Sequence, residues 1–104
     1  MRITKTASAG TLESSDVLIT VEPLEKGSPP GNPYQIDIEG ATAIRFGEQI
    51  RSVVHETLRL FAVESCRLRL QDKGALDCTI RARLSAALLR ASDDPAPIAW
   101  EAFK

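Results

Sequence analysis

The chain has 104 residues, of which 43% are hydrophobic and 26% are charged, a composition typical of one globular domain. Thirteen Lys and Arg against fourteen Asp and Glu give a formal net charge of −1, which lacks the basic excess of a general nucleic-acid binder or a polybasic membrane anchor. The first twenty residues hold no apolar signal segment, and no apolar run approaches membrane-spanning length. We therefore expect a cytoplasmic protein that binds neither nucleic acid nor membrane.

The N-terminal forty residues predict three strands. Residues 3–10 contain enough Ile and Thr for a short strand, and residues 17–22 and 34–40 alternate apolar with other side chains. Residues 11–16, TLESSD, are predicted to form a turn, and residues 25–33 an exposed loop rich in Pro and Gly. The predicted inward-facing residues of the second and third strands are Val17, Ile19, Val21, Tyr34, Ile36 and Ile38.

A helix is predicted from about Ala43 to Ala62, because apolar residues recur there at helical spacing. Its predicted buried face consists of Phe46, Ile50, Val53, Val54, Thr57, Leu58 and Phe61. Its predicted exposed face carries Glu48, Ser52, His55, Glu56 and Arg59. The only histidine, His55, has no carboxylate placed by the sequence to orient its ring, so we do not expect it to be catalytic.

The C-terminal half predicts one more strand and one more helix. Cys66, Leu68 and Leu70 alternate with polar residues, which indicates a strand. Residues 75–91 fit both an alternation and a helical stripe, and their Ala, Leu and Arg content favours a helix. The helical stripe would consist of Leu76, Ile80, Leu84, Leu88 and Ala91.

The predicted order β-β-β-α-β-α indicates an α+β fold, with a mainly antiparallel sheet packed by two helices. We expect one domain over residues 1–91. Residues 92–104 are expected to form a tail broken by prolines and pinned by Trp100 or Phe103.

The residues alone indicate no active site. Ser14 and Ser15 lie in the predicted turn without a partner that would take a hydroxyl proton, and Glu13 and Asp16 beside them are expected to be solvated. The chain contains neither a phosphate-binding glycine loop nor a G-x-S-x-G elbow. Two cysteines and one histidine form neither a disulfide framework nor a metal site, so we expect reduced thiols and no metal.

Three segments nevertheless carry a resemblance to a known family. They are AGTLESSDV at residues 9–17, FGEQIRSVVHETL at 46–58 and DKGALDCTIRARL at 72–84. In this order they resemble the acyl carrier protein of citrate lyase, its gamma subunit, over residues 1–91. The loop at 25–33 looks longer than the family pattern.

The resemblance implies a non-catalytic carrier. The serine that follows TLE in this family, Ser14 here, holds a 2'-(5''-phosphoribosyl)-3'-dephospho-CoA arm through a phosphodiester. Ser15 would be a turn residue that bonds its own backbone or caps the start of the following strand. The alpha subunit exchanges acetyl for citryl on the arm thiol, and the beta subunit releases oxaloacetate and restores the acetyl thioester. A separate prosthetic-group transferase attaches the arm, which explains a serine without its own base.

Two alternatives stay open. The acyl carrier subunit of malonate decarboxylase resembles this family and bears a related arm, although DKGALDC favours citrate lyase. The chain could also be an unmodified protein-interaction domain that uses its strand edges and charged helix. The resemblance further suggests that Lys73, Arg81 and Arg83 contact the anionic arm or the large subunits, the alternative being that they are simply solvated.

Overall fold

A computed structural model describes residues 1–24, 33–40 and 43–92 of the chain. Its strands and helices are β1 (Ala7–Gly10), β2 (Val17–Glu22), β3 (Tyr34–Gly40), α1 (Ala43–Leu60), β4 (Cys66–Asp72) and α2 (Asp77–Ala91). The predicted order of elements is confirmed. The predictions for residues 25–32 of the loop and for Trp100 and Phe103 lie outside the described residues.

The four strands form one sheet in the order β1-β2-β4-β3. β1 and β4 both run antiparallel to β2, whereas β3 runs parallel to β4. The predicted α+β class with a mainly antiparallel sheet is confirmed. The one parallel pair arises because α1 carries the chain from the end of β3 back to the start of β4, a crossover that only a long connection permits.

The core lies between one face of the sheet and the two helices. α2 packs on β1 and β2, whereas α1 packs on α2 and on β3. Alternating strand residues point into this core and are fully buried, namely Val17, Ile19, Val21, Cys66, Leu68 and Leu70. Their neighbours Arg67 and Arg69 are exposed on the other face of the sheet, so the fold has two layers.

The predicted helix faces are correct except at one end of each helix. Of the seven residues predicted to be buried on the first helix, six are buried, including Phe61 directly after the end of α1, but Phe46 is 46% exposed. On α2 the predicted stripe is buried apart from Leu76, which is 70% exposed. Leu76 has extended backbone angles and precedes the helix, so helical spacing does not fix its direction. Phe46 lies in the first turn of α1 and lines an open groove with Leu76, which is why neither residue is buried.

No helix within residues 1–24, 33–40 and 43–92 has both the length and the apolar character needed to cross a bilayer.

Candidate functional site

The two serines lie at the tip of the β1–β2 connection, residues 11–16. The amide of Asp16 donates to the carbonyl oxygen of Glu13 at 3.1 Å, which closes a four-residue turn with Ser14 and Ser15 as its central residues. Ser15 has a φ of 66°, in the left-handed region that is found at the second central position of some turn types, such as type II, and not of the commonest one. Ser14 and Ser15 are both exposed. Ser14 therefore presents its hydroxyl at the tip of an ordered hairpin turn.

Gly10 allows the two ends of this loop to approach each other closely. Its φ is 101°, and a Cβ added there would lie 1.8 Å from the carbonyl oxygen of Val17. A residue with a side chain would be strained by the backbone angle and would also clash with Val17. The glycine in the AGTLESSDV motif thus fixes the base of the turn.

Asp16 anchors the turn through its carboxylate. Oδ2 accepts a hydrogen bond from Thr11 Oγ1 at 2.7 Å, and Oδ1 accepts one from the amide of Val17 at 2.8 Å. Arg83 adds two more, from Nε to Oδ1 and from Nη2 to Oδ2, each 3.1 Å long. The hydrogen bonds from Thr11, Arg83 and Val17 lower the pKa of Asp16 to about 2. The prediction that Asp16 is solvated is wrong, because Arg83, which is 67 residues away in the chain, binds its carboxylate. Glu13 is exposed, as predicted.

The β4–α2 loop supports the turn from the other side. The amide of Ser15 donates to the carbonyl oxygen of Lys73 at 2.8 Å, and the amide of Lys73 donates to the carbonyl oxygen of Asp16 at 2.9 Å. These bonds lie directly beyond the last β2–β4 pair, Val17 and Asp72, and they join two residues, Ser15 and Asp16, to the single residue Lys73, which is the pattern of a β-bulge. The structure thereby brings together the first and last motifs of the resemblance, residues 9–17 and 72–84.

The shape of this loop depends on a buried carboxylate. Asp72 is 2% exposed, and its Oδ1 accepts hydrogen bonds from the amides of Gly74 at 3.1 Å and Ala75 at 3.0 Å. Gly74 has a positive φ of 93°. A side chain that bonds amides two and three residues ahead fixes a tight loop, so the DKGA sequence holds Lys73 against the serine turn.

The three basic residues of the last motif have different surroundings. Arg83 binds Asp16 through Nε and Nη2, and its side chain is still 42% exposed, so its predicted contact with an arm or a large subunit stays a prediction. Arg81 Nη2 lies 3.4 Å from Glu56 Oε2 in an exposed ion pair, and Lys73 is exposed. For Arg81 and Lys73 the predicted contacts stay predictions.

The other candidate residues are not brought to the turn. His55 is exposed, as predicted, and its ring packs edge-to-face on Tyr34 with the centroids 6.0 Å apart. Both cysteines are free: Cys66 is buried, which raises the pKa of its thiol to about 12, whereas Cys78 is exposed. Over the described ranges, no group of three or more His, Cys, Asp or Glu side chains is arranged to hold a metal ion.

The arrangement suits covalent attachment better than catalysis. Of the two carboxylates that flank the serines, Glu13 is exposed. Asp16 is engaged by Thr11 and Arg83, and a pKa near 2 makes it a poor general base at neutral pH. A hydroxyl with no activating base reacts only when another protein supplies one. Ser14 therefore has the accessibility of a modified residue without the surroundings of a nucleophile.

Known proteins place the chain in a family. The family ACP, described as "Malonate decarboxylase delta subunit (MdcD)", matches residues 4–91. The citrate lyase acyl carrier protein of Haemophilus ducreyi is 50% identical over 101 residues, 97% of each chain. The citrate lyase acyl carrier protein of Cronobacter sakazakii is 44% identical over 104 residues, the whole of both chains.

The fold also has a counterpart among solved structures. A chain in the crystal structure of a Pseudomonas malonate decarboxylase hetero-tetramer in complex with malonate aligns with a TM-score of 0.64 and 18% identity. The alignment covers 85% of this chain and 84% of that chain. The structural likeness shows a shared fold, and the sequence identities over nearly full length show the family. The chain therefore belongs to the family of citrate lyase acyl carrier proteins, and it is a carrier subunit rather than an enzyme.

Proposed function

We propose that the chain carries acetyl and citryl groups as thioesters during the cleavage of citrate to acetate and oxaloacetate. The carrier group would be 2'-(5''-phosphoribosyl)-3'-dephospho-CoA, attached covalently to Ser14. The observation that supports this most directly is the exposed Ser14 hydroxyl at the tip of a turn that Asp16, Arg83 and Lys73 hold in place. The assignment to citrate lyase is supported by the relatives that are named citrate lyase acyl carrier protein.

The turn fits the attachment of a large group. An attachment residue has to enter the active site of another protein, so its hydroxyl must be exposed and its backbone held by a stable scaffold. Ser14 meets the first condition, and the hydrogen bonds of Ser15 and Asp16 to Lys73 meet the second. When attached, the arm would supply a terminal thiol that holds acyl groups as thioesters.

The chain's own residues would position the serine and leave its activation to another protein. Asp16 stays ionised and bound to Arg83 throughout the physiological pH range, so the turn keeps its shape. With Asp16 engaged, the prosthetic-group transferase has to provide the base that takes the Ser14 proton. The tasks of this chain are thus to expose the hydroxyl and to hold it still.

The proposed partners are the alpha and beta subunits of citrate lyase. The alpha subunit would exchange acetyl for citryl, and the beta subunit would cleave the citryl group.

The two free cysteines of the chain suit the reducing cytoplasm that we propose as the location of the protein. The division into a carrier domain at 1–91 and a tail at 92–104 stays a prediction.

The second candidate is the acyl carrier subunit of malonate decarboxylase. The family description and the Pseudomonas structure favour it, whereas the identities of 44–50% to citrate lyase carriers favour the first candidate. Carriers of both kinds would bear an arm, so the mass of the protein alone does not separate them.

A reconstitution experiment tests the proposal. The chain is purified from a host that contains the attachment enzymes, its intact mass is measured, and it is combined either with citrate lyase alpha and beta subunits or with the malonate decarboxylase subunits. We expect an added mass equal to the arm and citrate cleavage only with the first set. The unmodified mass in the native complex would indicate an interaction domain, and malonate decarboxylation with the second set would indicate the alternative carrier. The purified chain alone should turn over neither acid.

A further inference from the structure

A groove of about 590 Å³ opens between the N-terminal part of α1 and residues 72–78. Phe46, Leu76 and Cys78 line it, and Phe46 and Leu76 are two of the most exposed large apolar side chains that the structure describes. Exposed apolar side chains that converge on a concave surface of this volume are typical of a ligand site.

The groove begins beside the serine turn. Lys73 accepts the hydrogen bond of the Ser15 amide, and the next residue, Gly74, lines the groove. Two chain steps of about 3.8 Å and one step across a hydrogen-bonded pair of about 5 Å put Gly74 within about 13 Å of Ser14. A group tethered to Ser14 can therefore reach the groove without any rearrangement of the fold.

The lining suits a nucleotide. The guanidinium of Arg45 lies over one face of the Phe46 ring, 5.5 Å from its centroid. The other face is the surface on which a base could stack. Arg81 also lines the groove and makes only an exposed ion pair at 3.4 Å, so its guanidinium can turn towards phosphate oxygens. An aromatic ring with guanidinium groups beside it matches a base joined to a diphosphate.

The two carboxylates in the lining already have partners of their own. Asp77 Oδ2 accepts a hydrogen bond from Gln49 Nε2 at 3.0 Å. Asp72 is buried and bonded to the loop amides of Gly74 and Ala75. Their charges oppose an anion less than free carboxylates would, because donors already surround them.

We propose that this groove binds the adenine nucleotide part of the covalent arm. The inference rests on the proposed function, because it needs the arm on the serine turn. In the proposed arm about ten covalent bonds separate the serine oxygen from the adenine, a reach on the order of 12 Å, which matches the distance to the groove. A tethered ligand has an effective concentration on the order of millimolar, so the groove is mostly occupied if its dissociation constant for the untethered nucleotide lies below about 1 mM. Stacking on Phe46 together with phosphate contacts from Arg81 would supply this affinity.

Cys78 provides a direct readout of occupancy. It lines the groove with an exposed thiol, whereas Cys66 is buried and serves as an unreactive internal reference. The alkylation rate of Cys78 is measured by peptide mass spectrometry in the arm-bearing chain and in the same chain from a host without the attachment enzymes. Peptide mapping separates Cys78 from the arm thiol, and intact mass establishes that the arm is present.

We expect the arm to slow alkylation of Cys78 about tenfold, which corresponds to a groove that the nucleotide occupies about nine-tenths of the time. Phe46→Ala should reduce this ratio to near one, and Arg81→Gln should reduce it in part. Leu60→Ala is the matched control, because Leu60 is 45% exposed on the same helix and does not line the groove; it should keep the full ratio.

The outcomes separate this inference from the proposed function. A confirmed arm with equal Cys78 rates in both forms would overturn the groove assignment and leave the carrier function standing. Protection that survives Phe46→Ala would also overturn it, because the arm would then lie elsewhere. A native chain without any arm would overturn the proposed function and this inference with it.

Discussion

Arg83 on α2 binds Asp16 in the serine turn through two parallel hydrogen bonds, Nε to Oδ1 and Nη2 to Oδ2, both 3.1 Å long. The planar guanidinium matches the carboxylate in this geometry and fixes its orientation as well as its distance. Because Asp16 also accepts from Thr11 and from its neighbour Val17, helix and hairpin turn are joined at one carboxylate. The position of Ser14 relative to the helical layer depends on this pair.

Loss of the Arg83–Asp16 pair should impair attachment more than folding. Arg83→Gln and Arg83→Lys both remove the two-pronged contact, so the turn would sample other positions. We expect the rate of arm attachment by the transferase to fall about tenfold or more. The matched control is Arg69→Gln, which breaks an exposed pair with Glu39 on the outer sheet face and should leave the rate unchanged. An unchanged rate in both Arg83 variants, measured by intact mass over time, would show that the pair does not position the turn.

The acid titration of Asp16 should follow its lowered pKa. The pKa of this carboxyl is about 2 in the folded chain, against an ordinary value of 3.8. The ionised carboxylate therefore makes its full contribution to the stability of the fold at pH values above 3.8. That contribution is lost as the pH falls through about 2. A carbon-13 NMR titration of the carboxyl carbon should give a midpoint near 2, and Thr11→Val and Arg83→Gln should each raise it. A midpoint near 3.8 in the unaltered chain would contradict the hydrogen-bonded turn.

The left-handed backbone of Ser15 predicts opposite effects for two substitutions. Ser15→Gly should raise the free energy of unfolding by up to about 1 kcal/mol, because glycine relieves the steric cost of a φ of 66°. Ser15→Val should lower it by about 1–2 kcal/mol, because a β-branched residue tolerates this region poorly. Urea denaturation of the three chains measures both changes. Equal stabilities would mean that Ser15 is not held in this conformation.

Two glycines should respond to alanine in opposite directions. Gly10→Ala should lower the free energy of unfolding by about 2–4 kcal/mol, because its Cβ would lie 1.8 Å from the Val17 carbonyl oxygen. Gly47→Ala on α1 should raise it by about 0.5–1 kcal/mol, because its Cβ would meet nothing within 4 Å. A tolerated Gly10→Ala in the same urea series would contradict the close approach at the base of the turn.

The sequence predicts the elements of this fold better than their arrangement in space. Strands β2 and β4 follow a strict alternation, and α1 follows a helical stripe, so local periodicity identifies each of them. Periodicity does not say which strands are neighbours, and the parallel pairing of β3 with β4 follows from the path of α1. Periodicity also fails at Phe46 and Leu76, where the element begins and no neighbour covers the side chain.

The site shows the same division between local and long-range information. The turn at residues 11–16 is predictable because Ser and Asp favour turns, and its resemblance to a carrier motif draws attention to Ser14. The support from Arg83 and Lys73 is not predictable from one sequence, because these residues are distant in the chain and their spacing carries no periodic signal. The sequence therefore predicts a solvated Asp16, whereas in the structure its carboxylate accepts two hydrogen bonds from Arg83.

Ser14 and Ser15 should differ in function although both are exposed. Ser14→Ala should change the free energy of unfolding by no more than about 0.5 kcal/mol, as is usual for surface substitutions, and should abolish carrier activity in the reconstituted complex. Ser15→Ala should keep the attachment site. Urea denaturation and intact mass, applied to both variants, separate an effect on folding from an effect on attachment.

Peptide mapping of the native, arm-bearing chain tests the carrier account most directly. The chain is digested, and the peptide that contains residues 9–17 is fragmented to locate the added mass. We expect the arm on the oxygen of Ser14. An arm on Ser15 or on Ser8, or a peptide from the active complex without any added mass, would contradict the assignment of Ser14 as the attachment residue.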